Sequence, residues 1–145
     1  MASGKGNTNA IGILKLIYQA VNFANIADNT VTSPITNLFV SLHTANPGAT
    51  GNQQTSEAAY TGYARVAVVR TSGGWSISGE TISNVAAINF PASSSGPEVE
   101  TYVGVGTLTS GAGVLLWFGQ LTASLTVNNG ITPSIAIGAL TITES

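Results

Sequence analysis

Few side chains in this sequence could do chemistry, and they are far apart. His43 is the only histidine. As a general base it would need a nucleophile to serve and a carboxylate to orient it, yet the nearest acids in the sequence are Asp28 and Glu57. No nucleophile motif accompanies it, so the preferred reading is a histidine on the mixed face of a strand. A zinc site would need three or four His, Cys or carboxylate ligands, and there is no cysteine to supply thiolates. Glu98 and Glu100 stand two apart, which puts their carboxylates on one face of an extended segment. A glycosidase pair usually faces across a cleft from different elements, at ~5 to 9 Å. Beside a Ser/Gly/Pro loop, the two glutamates read instead as a solvated edge. Ser3-Gly4-Lys5-Gly6-Asn7 lacks the upstream glycine, the following hydroxyl residue and the preceding strand of a phosphate-binding loop. Tyr60, Tyr63 and Trp75 could form a stacking platform for sugars or serve as core or interface anchors, and the sequence leaves both readings open. No catalytic residue, cofactor or metal ligand is expected.

The elements that must position these residues are read from composition and period. At 145 residues the chain fits one domain, which at this size buries roughly 70% of its unfolded surface. Only 7% of residues are charged, against about 25% in ordinary soluble domains. Such a surface repels its own copies weakly, which suits a chain that works inside an assembly. Lys5, Lys15, Arg65 and Arg70 are scattered singly, so no cationic cluster is available for nucleic acid or an anionic membrane. The longest apolar pattern, Ile11 to Ala27, is broken by Lys15, Gln19, Asn22 and Asn25, so neither a membrane span nor a secretory leader is expected.

Residues 1–8 read as a flexible polar arm. From an N-cap at Thr8 or Asn9, apolar Ile11, Leu14, Ile17, Tyr18 and Val21 fall on one stripe of a helix over about 9–27. Strands follow. Leu38, Val40 and Leu42 alternate up to the Asn46-Pro47-Gly48 turn, and the segment from Gly48 to Ala59 is a long polar loop. Alternation resumes from Ala64, and Gly73-Gly74 reads as a hairpin turn into Trp75-Ser76-Ile77-Ser78. Gly79-Glu80 is another reversal, and 81–90 is one bulged strand or two short ones. In Thr101 to Leu108, Gly104 and Gly106 share a phase and leave that face open to a close neighbour. Val114 to Phe118 is apolar on both faces, as in a strand buried on both sides. Leu121 to Val127 alternates, Asn128-Asn129-Gly130 is a hairpin signal, and Ile135 to Thr143 is a last strand. The expected fold is mainly β: a single jelly-roll-like β-sandwich of about eight antiparallel strands over 9–145, preceded by one amphipathic helix.

The run Leu38-Phe39-Val40-Ser41-Leu42-His43-Thr44-Ala45-Asn46-Pro47-Gly48, then Glu57, then Tyr60-Thr61-Gly62-Tyr63-Ala64-Arg65-Val66, resembles a family of small structural proteins of tailed bacteriophages and prophages. Gly74-Trp75, Ile88-Asn89-Phe90-Pro91 and Asn129-Gly130-Ile131-Thr132-Pro133 fit the same pattern, and the likeness runs over about 10–143. Such proteins are often labelled tail fibre proteins. This chain has no repeating shaft or heptad stalk, so a compact head decoration or cement protein is the expectation. The resemblance implies a virion protein at the capsid surface, synthesised in the host bacterial cytoplasm. Its partners would be the major capsid protein and copies of itself, as a homodimer or homotrimer, without nucleic acid or membrane. A tail component or a receptor- or glycan-binding tail module is the alternative. Interface residues are expected in the long loop and its return: Gly48, Asn52, Gln53, Tyr60, Tyr63 and Arg65.

Overall fold

The computed structural model describes residues 7–22 and 35–143. Among these residues it is mainly β, with one helix and nine strands in antiparallel sheets. The chain divides into two compact units. One is built from Met1–Asn37, Val69–Ala87 and Ala136–Ser145, the other from Leu38–Val68 and Ile88–Ile135.

In the first unit the helix α1 (Asn7–Gln19) stands beside a three-stranded sheet of β3 (Trp75–Ser78), β4 (Thr81–Asn84) and β9 (Thr141–Thr143), in the order β3-β4-β9. The helix is shorter than its apolar stripe suggests. Ala20 takes a positive φ of 54°, and the Val21 N–H turns back to the Lys15 carbonyl at 3.1 Å. Residues 23–27 of the expected helix, like the arm 1–6, lie outside the described residues, while 7 and 8 are helical. The buried stripe is Ala10, Leu14 and Tyr18; of the expected stripe, Leu14 and Tyr18 are buried, Ile11 and Ile17 are half-buried and Val21 is exposed. Tyr18 meets Trp75 edge-on, with ring centroids 5.1 Å apart.

The helix has no basic residue in its own last turn. Arg70 supplies the charge from elsewhere in the sequence, donating to the Leu16 and Ile17 carbonyls and to that of Ile35 at 3.1 Å. A cation there satisfies carbonyls that have no partner within the helix and offsets the helix dipole. Buried Asn84 ties β4 to the segment before β9. Its amide donates to the Ala86 and Ala136 carbonyls, and its oxygen accepts the Leu140 N–H.

The second unit holds a four-stranded sheet, β2-β1-β6-β7, of β1 (Asn37–His43), β2 (Val66–Val69), β6 (Glu98–Gly106) and β7 (Leu115–Val127). A short pair of β5 (Ile88–Asn89) and β8 (Ser134–Ile135) completes it. One face of the sheet is apolar: Leu38, Val40 and Leu42 of β1 are buried with Val103 and Val105 of β6. The register sets Phe39 opposite Gly106, Ser41 opposite Gly104 and His43 opposite Tyr102, so the glycine face of β6 is also the His43 face of β1.

Several local expectations change. Gly73-Gly74 joins no hairpin, because β2 pairs with β1 while β3 pairs with β4. Gly79, with φ 59°, does turn β3 into β4. Residues 81–90 form two strands in different sheets, and the expected last strand is broken into β8 and β9. Asn128-Asn129-Gly130 is a turn, but β8 pairs with β5 and not with β7. The two expected strands at 114–118 and 121–127 are one strand, β7, at the edge of its sheet. Val114 and Leu116 are 61% and 40% exposed. The reading of this stretch as buried on both sides is therefore overturned, since an apolar pattern does not distinguish a central strand from an edge.

Candidate functional site

The long loop between β1 and β2 folds back onto its own sheet, and nearly every polar residue singled out in the sequence is used to hold it there. The chain leaves β1 through Thr44, whose N–H bonds the Ser56 carbonyl at 2.8 Å, and the Ala58 N–H returns to the Leu42 carbonyl at 2.9 Å. His43 and Glu57 thereby form an isolated antiparallel bridge. The loop's return thus lies alongside the end of β1.

Glu57 and Arg65 are the centre of the arrangement. Glu57 takes two charge-assisted bonds from the guanidinium, from Nε at 2.6 Å and from Nη2 at 2.7 Å, and a third from the Tyr63 hydroxyl at 3.0 Å. Arg65 goes on to donate to the Leu108 and Gly111 carbonyls at 2.9 and 2.7 Å. One buried cation therefore fastens the loop to the turn between β6 and β7. A guanidinium suits this because its planar fork serves several acceptors at once. The Tyr63 oxygen also accepts the Leu42 N–H at 3.1 Å. Burial, then the Glu57 charge, drives the Tyr63 phenol far above its ordinary pKa, so it stays a donor.

Gln53 fastens the same turn from inside. It is fully buried; its side-chain oxygen accepts the Thr107 and Leu108 N–H groups, each at 2.9 Å, and its amide donates to the Leu108 carbonyl. The contact requires glycine in the hairpin. A Cβ on Gly106 or Gly113 would fall 2.2 or 2.3 Å from Gln53 side-chain atoms. The open face expected from Gly104 and Gly106 is filled in this way: a Cβ on Gly104 would fall 2.7 Å from His43 Nε2.

His43 is itself buried, and its ring bridges two groups. Nδ1 lies 2.9 Å from the Thr55 carbonyl. A carbonyl only accepts, so Nδ1 carries the proton and Nε2 accepts from Ser41 Oγ at 2.9 Å. The pair has the outline of a nucleophile and base, with a carbonyl where a carboxylate would orient the ring. Both residues are 0% exposed, and the backbone of Gly104 lies against them, so no substrate atom reaches the hydroxyl here. Burial above all lowers the His43 pKa and keeps the ring neutral.

The glutamate pair is split: Glu98 is half-exposed, while Glu100 is buried and not at the solvated edge expected for both. Glu98 Oε1 accepts the Ala59 and Tyr60 N–H groups at 2.8 and 3.1 Å. Glu100 is 0% exposed, and neither of its oxygens has a hydrogen bond that meets normal geometry. Burial, with the Glu98 carboxyl next to it, pushes the Glu100 carboxyl up to about 8. Nor do the aromatic residues form a platform. Trp75 and Tyr60 are 0% and 4% exposed, the Tyr60 hydroxyl donates to the Pro91 carbonyl at 3.0 Å, and Tyr63 stacks on Phe90.

Of the six expected interface residues, Gln53, Tyr60 and Arg65 point inward and Tyr63 is half-buried, whereas Asn52 is exposed and Gly48 half-exposed. Gly48 has φ 72° with open space where a Cβ would be. A pocket of about 280 Å³ opens where the loop return meets the β6–β7 turn, lined in part by Gln54, Glu57, Tyr63, Arg65, Thr109 and Ser110. Glu57 and Arg65 neutralise one another in its wall, so it presents neither a net charge nor an uncommitted base. No cluster of three or more potential metal ligands occurs among the described residues, and no described helix is long and apolar enough to cross a membrane.

Residues 18–143 match the family described as podophage GP4 fiber I protein gp80. The chain belongs to that family. The match takes in both units and the whole Glu57–Arg65 arrangement, and it makes the chain a phage structural protein. The family is named for a fibre protein, so the match carries the phage assignment expected from the sequence but not a place on the head. No curated protein matches the chain.

Proposed function

We propose that this protein is a fibre module of a podophage particle that acts by binding other proteins, including copies of itself, and carries out no reaction. The observation that carries this reading is the surface of β7 and its turn. From Thr101 to Thr143 the sequence has no charged residue, and Leu108, Val114 and Leu116 stand 49%, 61% and 40% exposed around one hairpin. Apolar side chains gathered on an uncharged edge strand favour association. Arg65 and Gln53 brace that hairpin from behind. The crest of the loop, with Asn52 and Gly48, adds a polar rim that can hydrogen-bond a partner.

Capsid decoration is a second reading, favoured by the lack of any shaft-forming repeat. There the same surfaces would meet the major capsid protein, and repeated weak contacts over the lattice would add up. Cryo-EM of the intact particle separates the two. Density for this chain at the tail supports the fibre module; density confined to the head lattice overturns it. Introducing charge tests the surface itself: V114K with L116K is expected to shift sedimentation of the purified protein to the monomer. An unchanged sedimentation profile would remove the hairpin from the interface.

A further inference from the structure

The two glutamates of β6 sit beneath the point where the long loop rejoins the sheet, and they differ in what they hold. Glu98 accepts two loop N–H groups, Ala59 at 2.8 Å and Tyr60 at 3.1 Å. Glu100, two residues on and therefore on the same face of the strand, is sealed at 0% exposure with the Glu98 carboxyl as its neighbour and neither oxygen in a hydrogen bond of normal geometry. A buried carboxylate without a donor is costly, and two carboxylates side by side cannot both be charged cheaply.

Among the described residues, the groups around the pair include no cation. From the loop comes the Tyr60 phenol, itself pushed up to about 12 by burial and by the two glutamates. From β7 come Leu125 opposite Glu100 and Val127 opposite Glu98. On β1 the nearest titratable group is His43, paired with Tyr102 and kept neutral. Arg65 is committed to Glu57 and two carbonyls.

We propose that Glu98 and Glu100 form a proton-operated latch that holds the loop return at Ala59–Tyr60 on β6 and releases it when the shared proton is lost. With its proton on, Glu100 is neutral and Glu98 accepts the two N–H groups beside it. When Glu100 ionises, the second charge has no partner inside. Glu98 is already half-exposed, but water reaches Glu100 only if Ala58 to Thr61 lifts from the strand. The Glu57–Arg65 and Gln53 contacts lie beyond that point and leave the rest of the loop docked. The latch concerns the isolated chain, so its test does not depend on where in the particle the protein sits.

The test is subtilisin nicking of the folded full chain from pH 6 to 9.5, with each rate divided by that of an unstructured peptide at the same pH. Wild type is expected to be nicked within residues 58–61 at least tenfold faster at pH 9 than at pH 6.5, and E100Q at a rate independent of pH. A flat wild-type profile, or an E100Q profile that rises like wild type, overturns the latch. Should E100Q fail to fold, the amide resonances of Ala59 and Tyr60 in wild type decide. They are expected to titrate together between pH 7 and 9, and the absence of an inflection there overturns it.

Discussion

At the scale of single residues, two buried titratable groups set how stability responds to pH, and they act in opposite senses. Native Glu100 keeps a proton that the unfolded chain loses near its ordinary value of 4.5, up to a folded value of about 8. Its contribution therefore falls as pH rises through that window, by up to about 1.4 kcal/mol per pH unit for one proton. His43 is neutral when folded, and the unfolded chain gains a proton below its ordinary 6.5. Its contribution falls as pH drops. Just below 6.5 the two slopes oppose one another, whereas above it only the Glu100 slope remains, so urea midpoints should fall more steeply above 6.5 than just below it, and E100Q should abolish the alkaline decline. An alkaline decline of equal size in E100Q would assign it to other groups. Arg65 offers a second measurement. R65M leaves the Glu57 carboxylate and two carbonyls without their donor and should cost about 3–5 kcal/mol in chemical denaturation. A loss below 1 kcal/mol would mean that the Glu57–Arg65 pair does not hold the loop.

At the scale of elements, the loop and the β6–β7 turn depend on each other through close approach. G106A would drive a methyl group into Gln53, which is buried and hydrogen-bonded on three sides, and should destabilise by about 1–3 kcal/mol. G73A is the control. Its Cβ would meet nothing nearer than 3.4 Å, and thermal unfolding should move it within about 0.5 kcal/mol of wild type. The alternation of Gly104 and Gly106 made a close neighbour legible from the sequence, because glycine at every second strand position leaves a groove. It did not identify Gln53 as that neighbour, since Gln53 lies in a stretch with no periodic signal at all. Likewise the apolar stripe located α1, but its end depends on Ala20 turning left-handed and on Arg70 reaching the Leu16 and Ile17 carbonyls, neither of which the period encodes.

At the scale of the whole molecule, the low charge that pointed toward assembly is concentrated where it has most effect. The uncharged stretch from Thr101 to Thr143 contributes β7, an edge strand, together with its exposed turn. If association runs through that edge, the V114K/L116K variant should also fail to incorporate when it replaces wild type during phage growth, while remaining folded by circular dichroism. Normal incorporation of the folded variant would move the contact elsewhere, with the loop crest at Asn52 as the next surface to test.

The sequence by itself determined the mainly β class, the helix that precedes the strands, the position of the long loop, the absence of thiol chemistry and the resemblance to phage structural proteins. These follow from period, composition and a local motif, which are properties of neighbours along the chain. Tertiary structure alone decided that Glu57 pairs with Arg65, that Glu100 is buried and Glu98 holds the loop, that His43 lies against Gly104 and that β7 is an edge. Each of those depends on which distant segments meet. Burial and pairing come from that meeting, and a pattern of residue types can suggest it without specifying it.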